Sequence, residues 1–342
     1  MTHRPTRAAP RVGRSSGSRP WSQAAVWALL LWGPTGCGDA GGATAFLSIG
    51  TGGTGGVYYP LGGAIANRMS QRDPERRYTA EVTGGSVENV NRLREGQIDL
   101  GFALGVTTWE AYHGGQDYDR PVDGLRVVAP LYPNVTHLLV ARGVEAASVE
   151  DLRGMRVSVG SAGSGTEQMS RQLLEAVGLT YDDVDERYIS FTESANALRD
   201  GAIDAALLSV GYPAAAVLEA TTNGGARLLP VEGEAVRVLL ERYPYYAVGG
   251  IPAGVYPGAT LPVPTVSMMN WVVGLDSLDG DVVRLLLDVL VDGRAPLSQV
   301  HGMAERIEME RLDDSPIPLH PATERWWNEV RERAESNEPD GR

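Results

Sequence analysis

The sequence predicts an α/β protein built as two similar lobes with a ligand cleft between them. Three observations carry this. Short β-branched runs alternate with helix-like segments, the rhythm of an α/β fold. A strand runs into a loop rich in Gly and hydroxyls twice, at Leu47-Ser-Ile-Gly-Thr-Gly-Gly-Thr-Gly55 and at Val157-Ser-Val-Gly-Ser-Ala-Gly-Ser-Gly165. A helix end followed by a strand start also recurs, as Asn91-Arg-Leu-Arg-Glu-Gly-Gln-Ile-Asp99 and Asn196-Ala-Leu-Arg-Asp-Gly-Ala-Ile-Asp204. Each piece alone is common; the same pieces in the same order twice imply two lobes of one design.

The elements follow in order. Strands are predicted over 46–49, 78–82 and 98–103, with helices over 57–69 and 88–94, the second stopped at Gly96. Strand-like segments at 127–130 and 137–141 suit a crossing between lobes, with a return crossing near 248–252. Further helices are expected over 281–291 and from 321 to about 333, and the polar residues 334–342 are expected to fray. The domain reading is therefore a signal over 1–36, a linker over 37–45, one lobe from 46–136 plus 250–333 with the C-terminal helices, and a second lobe over 137–249.

Composition agrees with two domains. A chain of 342 residues has room for them at roughly 100–200 residues each. Hydrophobic residues at 43 % supply cores, and charged residues at 21 % argue against coiled coil. The net charge of −13 makes nucleic acid an unsuitable partner, because phosphate is repelled by an acidic surface. All thirty basic residues are Arg. Without Lys, Schiff-base chemistry and a Walker A lysine are excluded.

The N-terminus reads as an export signal. Arg4, Arg7, Arg11, Arg14 and Arg19 precede the apolar stretch Ala24-Ala-Val-Trp-Ala-Leu-Leu-Leu-Trp32, which is too short to span a bilayer. Gly33-Pro-Thr-Gly36 then leads to Cys37, the single cysteine, so no disulfide forms within the chain. The segment resembles a bacterial lipoprotein signal with Cys37 as the acylated residue, although Pro34 departs from the usual aliphatic residue. The alternative is a disordered leader with an incidental cysteine. Loss of the five arginines of residues 1–36 changes the formal charge from −13 to −18. The expected location is periplasmic or otherwise extracytoplasmic, with contact to the membrane only through that anchor.

The glycine loops are the candidate site. Gly50-Thr-Gly-Gly-Thr-Gly55 satisfies GxGxxG, yet the second strand ends in Thr83-Gly84-Gly85 rather than the acid a dinucleotide ribose needs. No phosphate-loop lysine follows it either. What remains is the capacity of such loops to present successive N–H groups at a helix start, which suits an anion. Thr51 and Gly52 belong to the first loop, Ser161, Ser164, Gly165 and Thr166 to its counterpart, and Ser86 and Asn89 to a third helix start in Thr83-Gly-Gly-Ser-Val-Glu-Asn89. Read separately, each is equally a tight turn with an N-cap. Three together point to a cleft for a small anion. Ser164 lacks a nucleophile-elbow frame, the five histidines are scattered, and no acid pair stands out, so no catalytic residue, metal site or cofactor is expected.

These residues resemble the TAXI family of TRAP-transporter solute-binding proteins, from about Leu47 to Glu329. The matching pieces are Ile49-Gly-Thr-Gly-Gly-Thr-Gly-Gly-Val-Tyr-Tyr-Pro-Leu-Gly62, Thr83–Asn89, Val159-Gly-Ser-Ala-Gly-Ser-Gly-Thr166, Ile251-Pro-Ala-Gly-Val-Tyr-Pro-Gly258 and Pro318-Leu-His-Pro321. The resemblance implies a periplasmic-binding-protein-like fold closing on glutamate, glutamine or a 2-oxoglutarate-like acid, and delivery to TRAP permease subunits. By position it implies that Thr51, Tyr59 and Asn89 face the cleft from one lobe, and Ser164 and Thr166 from the other, with Tyr212 and Pro213 nearby. Gly105 stands where relatives typically carry an Asp. Two alternatives remain open: a lipoprotein that senses its ligand, and a nucleotide-dependent oxidoreductase using Gly50–Gly55.

Overall fold

Apolar runs bounded by turn residues become strands that join in one ten-stranded sheet in a computed structural model describing residues 45–337. The expected signal, Cys37 and all of the linker but its last residue lie outside the described residues. The described residues form one compact unit.

The first half runs β1 (Ala45–Gly50), α1 (Tyr58–Arg72), β2 (Arg76–Glu81), α2 (Ser86–Arg94), β3 (Leu100–Leu104), α3 (Gly105–His113) and β4 (Leu125–Val140). The second runs β5 (Arg156–Ser158), α4 (Gly165–Ala176), β6 (Asp185–Arg187), α5 (Phe191–Arg199), β7 (Ala205–Val210), α6 (Ala215–Thr222), β8 (Arg227–Leu229) and α7 (Glu234–Arg242). The chain ends with β9 (Ala247–Ile251), β10 (Val263–Leu275), α8 (Gly280–Asp292), α9 (Arg294–Ser298) and α10 (Pro321–Asn337).

The internal repeat is real at the level of hydrogen bonds. β1 lies parallel between β2 and β3, and β5 lies parallel between β6 and β7. In the first half the Ser48 amide donates to the Asp99 carboxylate at 2.8 Å; in the second the Arg156 amide donates to the Asp204 carboxylate at 2.8 Å. Each Asp thus locks the start of its strand beside the strand next to it. Both preceding helices end alike, with the Gly96 amide on the Leu93 carbonyl at 3.0 Å and the Gly201 amide on the Leu198 carbonyl at 3.3 Å.

Two long antiparallel strands, β4 and β10, link the halves. Leu125–Val135 of β4 pairs with β10, and Val135–Val140 pairs with β7 on its other side. β10 pairs with β3 through Asn270–Val273 and with β9 through Val263–Ser267. The sheet order is β2-β1-β3-β10-β4-β7-β5-β6, with β8 beside β4 and β9 beside β10. The return crossing expected near 248–252 is therefore carried by β10 instead, and residues 247–251 form its flanking partner β9. Ser267, Met268, Met269 and Asn270 blunt the β-branched signal there, so the shorter Val248 run draws attention in the sequence.

Helices cover the sheet with apolar stripes at helical spacing. Val282, Val283, Leu286, Leu287 and Leu290 of α8 are buried, and Asp279 caps its first turn by accepting from the Asp281 amide at 2.9 Å. They join the larger core, which includes Ile65, Phe102 and Trp271. A second core packs Met169 and Leu173 of α4 against β5 and β7, and takes in Leu104 and Val106. The turn from β3 into α3 is thus anchored on the second half. No helix among the described residues is long and apolar enough to cross a membrane.

A candidate ligand cavity at four helix starts

α1, α2, α4 and α5 all begin at one cavity. Val57 and Tyr58, Gly85 and Ser86, Ser164 through Thr166, and Ser190 with Phe191 line it, while Tyr132 and Asn134 of β4 and Ser209 of β7 form its floor. Its volume is about 60 Å³, counted as the space open to the centre of a water molecule. That admits roughly four waters or one small solute.

The four starts are organised differently. Ser164 caps α4, accepting from the Glu167 amide at 3.1 Å. Ser190 caps α5 in a capping box with Glu193. The Ser86 hydroxyl accepts from the Leu104 amide at 3.0 Å, fastening α2 to β3. α1 and α2 have no side-chain cap, so their first N–H groups find no partner inside the helix. Positive helix ends therefore converge on the cavity. Among the described residues no Arg, Asp, Glu or His lines it.

The walls come from both halves and touch. The Glu88 amide donates to the Gly163 carbonyl at 3.0 Å, and the Ala216 amide to the Gly55 carbonyl at 3.2 Å. Gly85 sits at φ 128°, and a β-carbon there would lie 3.2 Å from that of Ser164. At Gly84 a β-carbon would press within 2.7 Å of the Ala162 carbonyl oxygen. This glycine pair lets two loops meet without a side chain between them. Below them, Tyr58 donates to Asn270, whose amide donates to the Tyr132 carbonyl at 2.7 Å. Burial holds the Tyr58 phenol above its usual value, so it is a neutral donor.

A family model described as the NMT1-like family matches residues 49–330, most of the chain. The chain belongs to the NMT1-like family. A curated Escherichia coli K12 protein, provisionally named an aliphatic sulfonates-binding protein, is 26 % identical to this NMT1-like chain over 161 residues, 47 % of each. The chain thus spans about half the length of that relative. A solved structure of PhnD1 from Prochlorococcus marinus with methylphosphonate covers 86 % of this chain and 99 % of its own at 13 % identity and a TM-score of 0.51. A Bordetella bronchiseptica RB50 structure covers 82 % and 79 % at 17 % identity and a TM-score of 0.52. The NMT1-like chain therefore has the mixed α/β periplasmic-binding-protein fold, and its curated relative is named for binding a solute.

In this NMT1-like protein the cavity gathers six of the residues expected to bind ligand: Gly52, Ser86, Ser161, Ser164, Gly165 and Thr166. Five others lie elsewhere. Thr51 is fully buried and donates to the Glu81 carbonyl at 2.6 Å. The Asn89 amide donates to the Thr51 and Phe102 carbonyls, each at 2.8 Å, so it braces the first loop from behind. Tyr59 borders a separate surface hollow with Asn67 and Tyr78. Tyr212 borders a larger groove with Arg306 stacked over its ring at 5.2 Å, and Pro213 is exposed. Gly105 also borders that groove and not the cavity. Helical phase explains the first exchange: Tyr58 turns inward, and the next residue must turn away. The strand residues Tyr132, Asn134 and Ser209 carried no loop signature, though polar Asn134 inside an apolar run was a usable sign.

Proposed function

We propose that this protein is an extracytoplasmic solute-binding protein that captures a small anion and delivers it to a membrane transporter. One observation carries the reading. Four helix starts converge on a cavity whose lining, among the described residues, holds hydroxyls and N–H groups but no charged side chain. Such a site replaces an anion's hydration shell with fixed neutral donors. It also excludes bulk: a cavity of about 60 Å³ is far too small for a dinucleotide, which removes support from the oxidoreductase alternative.

The finer reading is that residues 46–136 with 250–333, and residues 137–249, act as two lobes that close on the ligand through β4 and β10, with a lipid anchor at Cys37. The partner by resemblance is a TRAP-type permease. A carboxylate such as 2-oxoglutarate fits the donors. So does a sulfonate or phosphonate head, the ligand types in the names of the sulfonate-binding relative and the PhnD1 complex.

Thermal-shift and calorimetric screening of matched carboxylates, sulfonates and phosphonates, with NAD as a control, tests the reading. A true ligand at 100 times its dissociation constant should add about 2.7 kcal/mol of stability. A shift with NAD and with none of the small anions would overturn it.

A further inference from the structure

We infer that closing on the anion is coupled to the uptake of one proton, at an acidic clasp outside the cavity where Glu110 and Asp117 of the first half hold α4 of the second. This rests on the reading of anion capture by two closing lobes and adds a control to it.

Both Glu110 carboxylate oxygens hold α4. One accepts from the Gln172 side-chain nitrogen at 3.0 Å, the other from that of Gln168 at 3.1 Å. The Gln168 nitrogen also donates to Asp117 at 2.8 Å, and its oxygen accepts from the Thr107 hydroxyl on α3. Arg171 donates to Asp117 at 2.7 Å and lies 3.6 Å from Glu167. Gln168 and Gln172, like Glu167 and Arg171, are four apart and so share a face of α4. Gln172 is bound in turn to the Tyr245 hydroxyl at 2.9 Å and the Tyr246 hydroxyl at 3.0 Å. The first turn of the same helix carries Gly165 and Thr166, which line the cavity. The clasp and one cavity wall are therefore parts of a single helix.

Three carboxyl groups, Glu110, Asp117 and Glu167, thus meet around the Arg171 guanidinium at a contact between the halves. The other groups facing them do not redress the balance. Tyr118, Tyr243, Tyr245 and Tyr246 are phenols that burial holds above their usual value, so they are neutral. His113 on α3 turns its Nδ1 to the Trp109 carbonyl at 3.0 Å. Glu175 and Arg242 face Tyr243, and Arg94 of α2 faces Tyr118. A proton on Glu110 relieves the crowding, and the protonated acid still accepts through its carbonyl oxygen. Burial first, and then Asp117, accordingly push Glu110 from 4.5 up to about 7. Parting the halves draws α4 off Glu110 and returns it to water, where the ordinary value applies. The closed form therefore holds the proton more tightly than the open form. The contribution to closing is full below 4.5 and is lost as pH rises through about 7. By reciprocity, an anion that closes the lobes takes up that proton.

The test is calorimetry on the mature protein and its Glu110→Gln variant, at about pH 5.5 and about pH 7.5, with ethanesulfonate, methylphosphonate, propionate and glutarate. Glu110 does not line the cavity, and the neutral amide of the variant imitates the protonated acid. Comparing the two proteins on one anion cancels the anion's own titration. For each anion that binds, wild-type affinity should fall about tenfold or more relative to the variant between the two pH values. Near pH 6, in buffers of different ionisation enthalpy, binding to the wild type should take up about one proton more than binding to the variant. If the variant does not fold, proton uptake by the wild type decides, corrected for the titration of the free anion. Parallel affinity curves with equal proton uptake, or no uptake by the wild type, would overturn the inference and leave anion capture standing. No binding by any of the four anions would overturn anion capture itself, and this inference with it.

Discussion

Glu88 at the start of α2 and Gly163 in the loop before α4 share a backbone hydrogen bond of 3.0 Å, so the two repeated halves meet through main chain at the rim of the cavity. A rim made this way is sensitive to any side chain that holds the loops apart.

Gly85→Ala should do that. The backbone at φ 128° is nearly reserved for Gly and costs another residue about 1–3 kcal/mol, and the new methyl would crowd Ser164. We expect ligand affinity to fall about tenfold or more, with small-angle scattering showing a radius that no longer contracts on adding ligand. Full affinity in this variant would mean that the loops do not meet in the bound form.

Ser164→Ala should show two effects at once, because Ser164 both caps α4 and lines the cavity. Loss of the cap should lower apo stability by about 1 kcal/mol, and loss of a ligand donor should weaken binding by roughly 1–3 kcal/mol. A lower melting temperature with unchanged affinity would leave only the cap.

Asn89→Ala should act on the fold and not on ligand choice. It strips two buried carbonyls, of Thr51 and Phe102, of their donor. Denaturant melts should lose at least about 2 kcal/mol, while the ranking of anions by affinity stays as in the wild type. A changed ranking would bring Asn89 back among the residues that touch ligand.

Stability should also depend on pH in a way that one substitution exposes. Burial first, and then Asp117, push the Glu110 carboxyl up from 4.5 to about 7. The folded protein holds that proton where the unfolded chain has released it, so rising pH between those values removes stability. His137 acts oppositely. Burial pushes it from 6.5 down to about 4, so the unfolded chain alone takes up a proton below 6.5 and acid removes stability. Over about 4.5–6.5 the two slopes oppose each other. Glu110→Gln should therefore lose stability more steeply than wild type as pH falls from 6.5 to 5, read by denaturant melts. Parallel curves would show that Glu110 titrates normally.

The sequence exposed the architecture and the loops better than the floor of the site. Glycines that let chains approach closely leave a recognisable pattern, and so does an Asp that recurs at the same point of a repeat. Both Asp99 and Asp204 proved to lock a strand start. Tyr132, Asn134 and Ser209 reach the cavity only because β4 and β7 pair in register, Val135 opposite Val210, a non-local fact that spacing along the chain does not encode. Asn89 looked like a ligand donor because it follows a loop rich in Gly and hydroxyls. The structure spends its amide on two carbonyls instead.

The position of β10 has a consequence for how the chain must come together. It is the last strand made, starting at Val263, yet it lies between β3 and β4, whose residues end by Val140. Until it emerges, β3 and β4 each present an unpaired edge to whatever strand is near. The first half therefore cannot be completed and set aside while the second is synthesised. A chain cut before Val263 should leave the first half without its closing strand and prone to aggregate, whereas a chain kept extended until complete would insert that strand without the hazard.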